Sequence, residues 1–118
     1  EMSGKRGSLC EINKILLDYT GIVDGIVFLP ESDHPVPRLA ALVVFNEQGT
    51  IEQLKTYLRH YLDDAFMPRP LLEIRKLPRE DNGKLPRSGL KKFYRELIEA
   101  RSLKKNFKIE HVKNENGD

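Results

Sequence analysis

Lys84 is the residue of this chain whose neighbours best equip it for chemistry. It stands in the run Pro78-Arg79-Glu80-Asp81-Asn82-Gly83-Lys84-Leu85-Pro86-Arg87. Asn-Gly is the strongest two-residue signal for a type I′ hairpin, because both central residues of that turn need a positive φ. An apolar run, Leu71 to Leu77, leads into the turn, and a proline and a helical pattern follow it. Such a turn fixes the Lys84 backbone while its four-carbon stem still reaches a ligand. An ammonium is a compact, rotatable point charge, suited to a phosphate or carboxylate whose charge shifts during a reaction. On pattern alone, the same residues also fit an ordinary solvated hairpin on a sheet edge.

The surrounding charge is biased the same way. Residues 69 to 92 hold eight bases (Arg69, Arg75, Lys76, Arg79, Lys84, Arg87, Lys91, Lys92) against Glu73, Glu80 and Asp81. That segment could face phosphates or simply solvate a hairpin and a helix start. Near the N-terminus, Gly4-Lys5-Arg6-Gly7 sets two bases between glycines, which suits an anion-binding loop. It lacks the Gly-x-x-x-x-Gly-Lys-Ser/Thr spacing of a phosphate loop.

Other chemistries find little support. Cys10 is the only cysteine, which excludes an internal disulfide and a cysteine-based zinc site and fits a reducing compartment. It falls in the first turn of an expected helix, and a packing role is expected for it. His34, His60 and His111 are scattered, so no metal site is expected, and no Gly-x-Ser-x-Gly elbow is present.

With 118 residues, 39% hydrophobic and 32% charged, the chain is expected to form one soluble domain with a real core. A net charge of +2 is too small for a nucleic-acid footprint over the whole domain. No apolar run approaches the ~20 residues needed to span a bilayer. No signal-peptide pattern is seen, and a cytoplasmic location is expected. Glu1 is not a natural start, so the chain reads as an excised piece or as one made with a tag.

The elements that must position the turn follow from periodicity and punctuation. A helix is expected over 9 to 19, opened by a capping box of Ser8 and Glu11 and stopped by Gly21. Val23 to Leu29 and Leu39 to Phe45 read as strands, paired antiparallel, with the second central because it is apolar throughout. Thr50 and Gln53 open a second helix reaching toward Asp63. Phe66-Met67-Pro68-Arg69-Pro70 must be extended, and Leu71 to Leu77 forms a third strand. A third helix is expected from Ser88 to about Lys104, then a polar, partly disordered tail over 107 to 118. The expected class is α+β: a small antiparallel sheet with a hairpin, flanked by about three helices.

These residues together resemble the C-terminal subdomain of the adenylate-forming enzymes, the superfamily of acyl- and aryl-CoA synthetases, peptide-synthetase adenylation domains and luciferase. Its closing signature, Pro-Arg-x-x-Asn-Gly-Lys-x-x-Arg, is matched without a gap by Pro78, Arg79, Asn82, Gly83, Lys84 and Arg87. Phe66-Met67-Pro68, Gly21-Ile22-Val23-Asp24, and Gly4 and Arg6 ahead of Glu11-Ile12 are similar to further segments of that subdomain. The match covers about residues 4 to 100. Gly7 departs from it, standing where an aliphatic residue is usual, and the hinge residue would lie just before residue 1.

The resemblance implies a mobile lid, residues 1 to 106, on a larger N-terminal domain that binds ATP, Mg²⁺ and the carboxylic acid. It implies that Lys84 contacts the substrate carboxylate and ATP oxygens while the acyl-adenylate forms. Two anions must meet there, and a fixed cation stabilises the charge that builds up. Arg87, Asn82 and Gly83 would support the turn or a phosphate. After rotation of the lid, Gly4, Lys5 and Arg6 would stand beside the thiol of CoA or of carrier-bound phosphopantetheine. The implied partners are the N-terminal domain and CoA or an acyl carrier protein, with no membrane span. Two other readings remain: a non-catalytic carrier-docking module of the same fold, and a small phosphate- or RNA-binding α+β domain. Sparse aromatics tell against base stacking in the latter.

Overall fold

The structure, a computed structural model, describes the backbone of residues 8–31 and 38–117 and the side chains as far as Leu103. The chain divides into two compact units, residues 1–77 and 78–118.

The first unit opens with helix α1, Leu9–Leu17. Ser8 caps it, its Oγ accepting from the Glu11 N–H at 3.1 Å, which satisfies one of the donors a helix start leaves over. Strand β1, Ile22–Phe28, and strand β2, Ala40–Phe45, pair antiparallel, with Val27 opposite Ala41 and Gly25 opposite Val43. A bulge between Ile22 and Asp24 turns Val23 outward, where it is 67% exposed. Helix α2, Ile51–Arg59, is capped by Thr50, whose Oγ1 accepts from the Gln53 N–H at 3.1 Å. A 3-10 turn, Asp64–Phe66, then leads to strand β3, Leu71–Glu73.

The α+β class holds, but the sheet is mixed. Its order is β1-β2-β3, and β3 runs parallel to β2, with Ala41, Leu42 and Val43 opposite Leu71, Leu72 and Glu73. The intervening α2 carries the chain back to the starting end of the sheet, which is what a parallel neighbour requires. The expected third strand therefore corrects to three residues. After Ile74, whose N–H still reaches the Val43 carbonyl at 2.8 Å, the chain leaves the sheet.

β2 is central, as its unbroken apolar character predicts, and Ala40 through Val43 are fully buried. Ile12 and Leu16 of α1 and Leu54 and Leu58 of α2 join Val27, Ala41 and Val43 in one cluster, so both helices cover the same sheet face. Each leucine buried there contributes about 1.5–3 kcal/mol relative to exposure. Leu62 and Met67 close the cluster. Arg38 braces the segment that delivers Met67, donating from Nη2 to the carbonyls of Asp64 and Met67 at 3.3 Å each. The Arg69–Pro70 peptide in the same segment is cis.

Two local expectations change. Gly21 is not a left-handed helix cap: Asp18 closes α1 in the right-handed region, and among the described glycines only Gly83 has a positive φ. Gly21 is needed because its backbone lies against Gly49; a Cβ on Gly21 would come within 2.8 Å of the Gly49 Cα. Cys10 does not pack in the core but is exposed.

The second unit comprises the turn and helix α3, Arg87–Gly117. That helix passes the expected end near Lys104, and the backbone of the expected polar tail is helical as far as Gly117.

Candidate functional site

The turn before α3 is built from its own residues. The Gly83 N–H donates to the Glu80 carbonyl at 2.8 Å, and the Glu80 N–H donates to the Lys84 carbonyl at 2.8 Å. This pair of bonds defines a three-residue loop, Asp81-Asn82-Gly83, closed by a glycine bulge. It corrects the two-residue type I′ expectation. A type I′ turn needs two residues at positive φ, and here only Gly83, at φ 87°, is in that region.

Asn82 contributes through its side chain instead. Its Oδ1 accepts from the Lys84 N–H at 3.0 Å, the local bond that makes asparagine a turn former. Arg79 reaches across the loop, its Nη1 donating to the Gly83 carbonyl at 2.8 Å. Both backbone polar groups of Lys84 are thereby tied down while its side chain is exposed. The result is a cation on a pre-set backbone, free to sweep with its stem.

Arg87 is the first residue of α3, and it too is exposed. The first intrahelical bond runs from the Leu90 N–H to the Pro86 carbonyl at 2.9 Å. The N–H groups of Arg87, Ser88 and Gly89 therefore have no intrahelical acceptor. No acidic residue lies in that first turn. A cation at a helix start opposes the helix dipole, where an acid would stabilise. The arrangement of Lys84, Arg87 and the helix N-terminus gives up some stability and favours an incoming anion.

Other predicted site residues are placed differently. Gly4, Lys5 and Arg6 lie outside the described residues. Arg69 belongs to the first unit, where it pairs with Asp64 at 2.7 Å. Among the described residues no group of three or more His, Cys, Asp or Glu could hold a metal ion. No helix among them is long and apolar enough to cross a membrane.

Sequence reasoning missed three structural devices that support the first unit. Asn13 bonds the edge of β1, Gly21 lies against Gly49, and Tyr19, Tyr57 and Tyr61 stack in series with centroids 5.0 and 5.1 Å apart. Only the tyrosines left a signal, the helical spacing of Tyr57 and Tyr61.

No protein-family profile matches the chain. Among curated proteins it is similar to zwittermicin A synthase ZmaJ of Bacillus cereus, with 29% identity over 90 residues, 76% of this chain and 17% of that protein. A dimodular nonribosomal peptide synthase of Bacillus subtilis is 32% identical over 90 residues, 76% of this chain and 4% of that protein. Among solved structures, a Mycobacterium tuberculosis fatty acyl CoA synthetase superposes with a TM-score of 0.62 at 22% identity, over 76% of this chain and 19% of that one. This chain matches the C-terminal subdomain of the adenylate-forming enzymes. The chain spans less than a fifth of the length of these relatives. The structural likeness bears on the fold alone, and the sequence relatives bear on the class.

Proposed function

We propose that residues 1–106 are the C-terminal lid of an ATP-dependent carboxylic acid ligase, and that the rest of α3 is an appendage to that lid. The parent enzyme activates an acyl or aryl acid as its adenylate and then passes the acyl group to a phosphopantetheine thiol, of CoA or of a carrier protein. The observation that supports this reading is the braced turn, which holds the Lys84 backbone by two hydrogen bonds and leaves its ammonium exposed.

In the first half-reaction a carboxylate approaches the α-phosphate of ATP, and both are anions. The Lys84 ammonium offsets their repulsion and meets the charge that grows on the transferring oxygens, an effect on the order of several kcal/mol when the donor is preorganised. Arg87 and the start of α3, which follow the turn directly, add positive potential to it. Asn82 and Gly83 act through the loop, by fixing where Lys84 begins. In this reading the metal that serves ATP is held mainly by the N-terminal domain. For the second half-reaction, Gly4, Lys5 and Arg6 are the proposed neighbours of the thiol.

The test uses the polypeptide that carries this chain together with its ATP-binding domain. Lys84→Ala is compared with wild type in acid-dependent exchange of pyrophosphate into ATP and in thioester formation from a preformed acyl-adenylate. Loss of the first with survival of the second is expected. If exchange is unaffected, Lys84 is not the adenylation lysine, and the carrier-docking reading replaces the catalytic one.

A further inference from the structure

The turn that presents Lys84 contains its own electrophile and nucleophile. We propose that Asn82 is a site of spontaneous deamidation whose product changes the charge beside Lys84.

The geometry favours attack on the Asn82 side chain. Asn82 and Gly83 are both exposed, and a methyl group built on Gly83 would meet nothing within 4 Å. Water and hydroxide reach the pair, and Gly83 has no side chain to shield its own amide nitrogen. The Asn82 Oδ1 accepts from the Lys84 N–H at 3.0 Å. That bond draws electron density from Cγ and stabilises the oxyanion that forms on Oδ1 when Cγ is attacked.

One contact opposes the reaction. The Gly83 N–H donates to the Glu80 carbonyl at 2.8 Å, so the nitrogen attacks only when this bond opens. The loop from Glu80 to Lys84 has no buried residue, and such surface bonds open at a small fraction of the cost of global unfolding. The opposing contact slows the reaction without preventing it.

The step balances with water alone. The Gly83 nitrogen gives its proton to hydroxide and bonds to the Asn82 Cγ. The Cγ–Nδ2 bond breaks, Nδ2 takes a proton from water, and ammonia leaves. Water then adds across either carbonyl–nitrogen bond of the succinimide ring. One product is aspartate; the other is isoaspartate, whose main chain runs through Cβ and Cγ.

Either product sets a carboxylate in place of a neutral amide, two residues from Lys84, in a loop that already holds Glu80 and Asp81. That carboxylate competes with a phosphate or substrate carboxylate for the Lys84 ammonium. Isoaspartate also lengthens a loop closed by the Glu80–Gly83 and Glu80–Lys84 bonds, which displaces Lys84. The modification stands on the turn alone; its effect on activity rests on the ligase reading above.

Two other asparagines serve as internal references. Asn13 is engaged at both ends of its amide by Leu9 and Val27. Asn46 bonds Thr20 and Gln48, and Glu47 follows it with a hindering side chain. The polypeptide carrying this chain is aged, folded, in mildly alkaline buffer. Peptide mapping then reads the one-dalton gain and isoaspartyl methyltransferase labelling at each asparagine, with Asn116, which also precedes a glycine, resolved separately. Asn82 is expected to convert several times faster than Asn13 and Asn46. An Asn82 that stays intact in the folded protein while converting in urea overturns the proposal. Pyrophosphate exchange, followed on the same samples, is expected to fall in step with conversion at Asn82 and to persist in wild-type protein stored equally long, cold and mildly acidic, in which Asn82 stays intact. Conversion without loss of exchange refutes the effect at Lys84. Absence of exchange in fresh wild-type protein refutes the ligase reading and leaves the mass measurement standing.

Discussion

The side-chain amide of Asn13 pairs with the backbone of Val27 in both directions. Its Nδ2 donates to the Val27 carbonyl and its Oδ1 accepts from the Val27 N–H, each at 2.8 Å. Val27 is fully buried on β1, an edge strand whose outward groups have no neighbouring strand among the described residues. The amide stands in for one residue of that missing strand and fixes α1 to the sheet at the same time. Asn13→Leu leaves both backbone groups without partners, and a loss of about 2–3 kcal/mol is expected. The urea midpoint reads it, and an unchanged midpoint would mean that water replaces the amide at no cost.

Lys84 is expected to tolerate no other cation. Arginine keeps the charge, but its planar fork delivers it in a different direction and at a different distance from the turn. Lys84→Arg should therefore lose adenylation nearly as fully as Lys84→Ala, by on the order of 10²-fold in kcat for exchange. Thioester formation from preformed adenylate should hardly change. Full exchange activity in Lys84→Arg would show that only charge matters at this position.

The contact between Gly21 and Gly49 predicts a core defect from a surface-looking substitution. A Cβ on Gly49 would meet the Gly21 carbonyl oxygen and, at 2.6 Å, the Phe45 ring. Backbone cannot yield as a flexible side chain does, so Gly49→Ala should cost about 1–3 kcal/mol. Thermal unfolding tests this. Gly83→Asn is the useful contrast, since asparagine visits positive φ more readily than most residues and open space surrounds Gly83; its global unfolding temperature should barely move.

Tyr57 gives the first unit an alkaline limit. Its hydroxyl donates to the Ile15 carbonyl at 2.7 Å and ties α2 to α1. Burial raises its pKa above the ordinary phenol value, with Tyr61 and Asp18 adding to the shift. A group whose pKa is raised on folding contributes stability that is complete below its unfolded value and is lost as pH climbs through the folded one. Stability should accordingly fall above about pH 10, and Tyr57→Phe should flatten that fall while losing about 1 kcal/mol at neutral pH. Unfolding midpoints measured across that range check both parts.

The parts of the fold legible in the sequence are those that local chemistry decides. Ser8 and Thr50 announce helix starts because a cap needs only the next three residues. The unbroken apolar run from Ala40 to Val43 announces a central strand because both of its faces must be covered. The direction of β3 was not legible, because Leu71–Glu73 reads alike in either sense and the return path along α2 decides it. Gly21 was misread because its constraint comes from Gly49, twenty-eight positions away. At the site, the order of Asn82, Gly83 and Lys84 was enough to place a turn, but not its type. Asparagine can reach a turn by its backbone or by its side chain, and here the Oδ1 bond to Lys84 takes the place of a positive φ.

The parallel pairing of β2 with β3 also sets an order of events during synthesis. β1 and β2 are consecutive and can pair as soon as both have emerged. β3 can add only after α2 has spanned the sheet, so the layer closes with the last residues of the first unit. The Lys84 turn follows β3 in the chain and belongs to the second unit. The bonds that close it join Glu80, Asn82, Gly83 and Lys84, so the turn takes its shape from its own residues without waiting for β3 to pair.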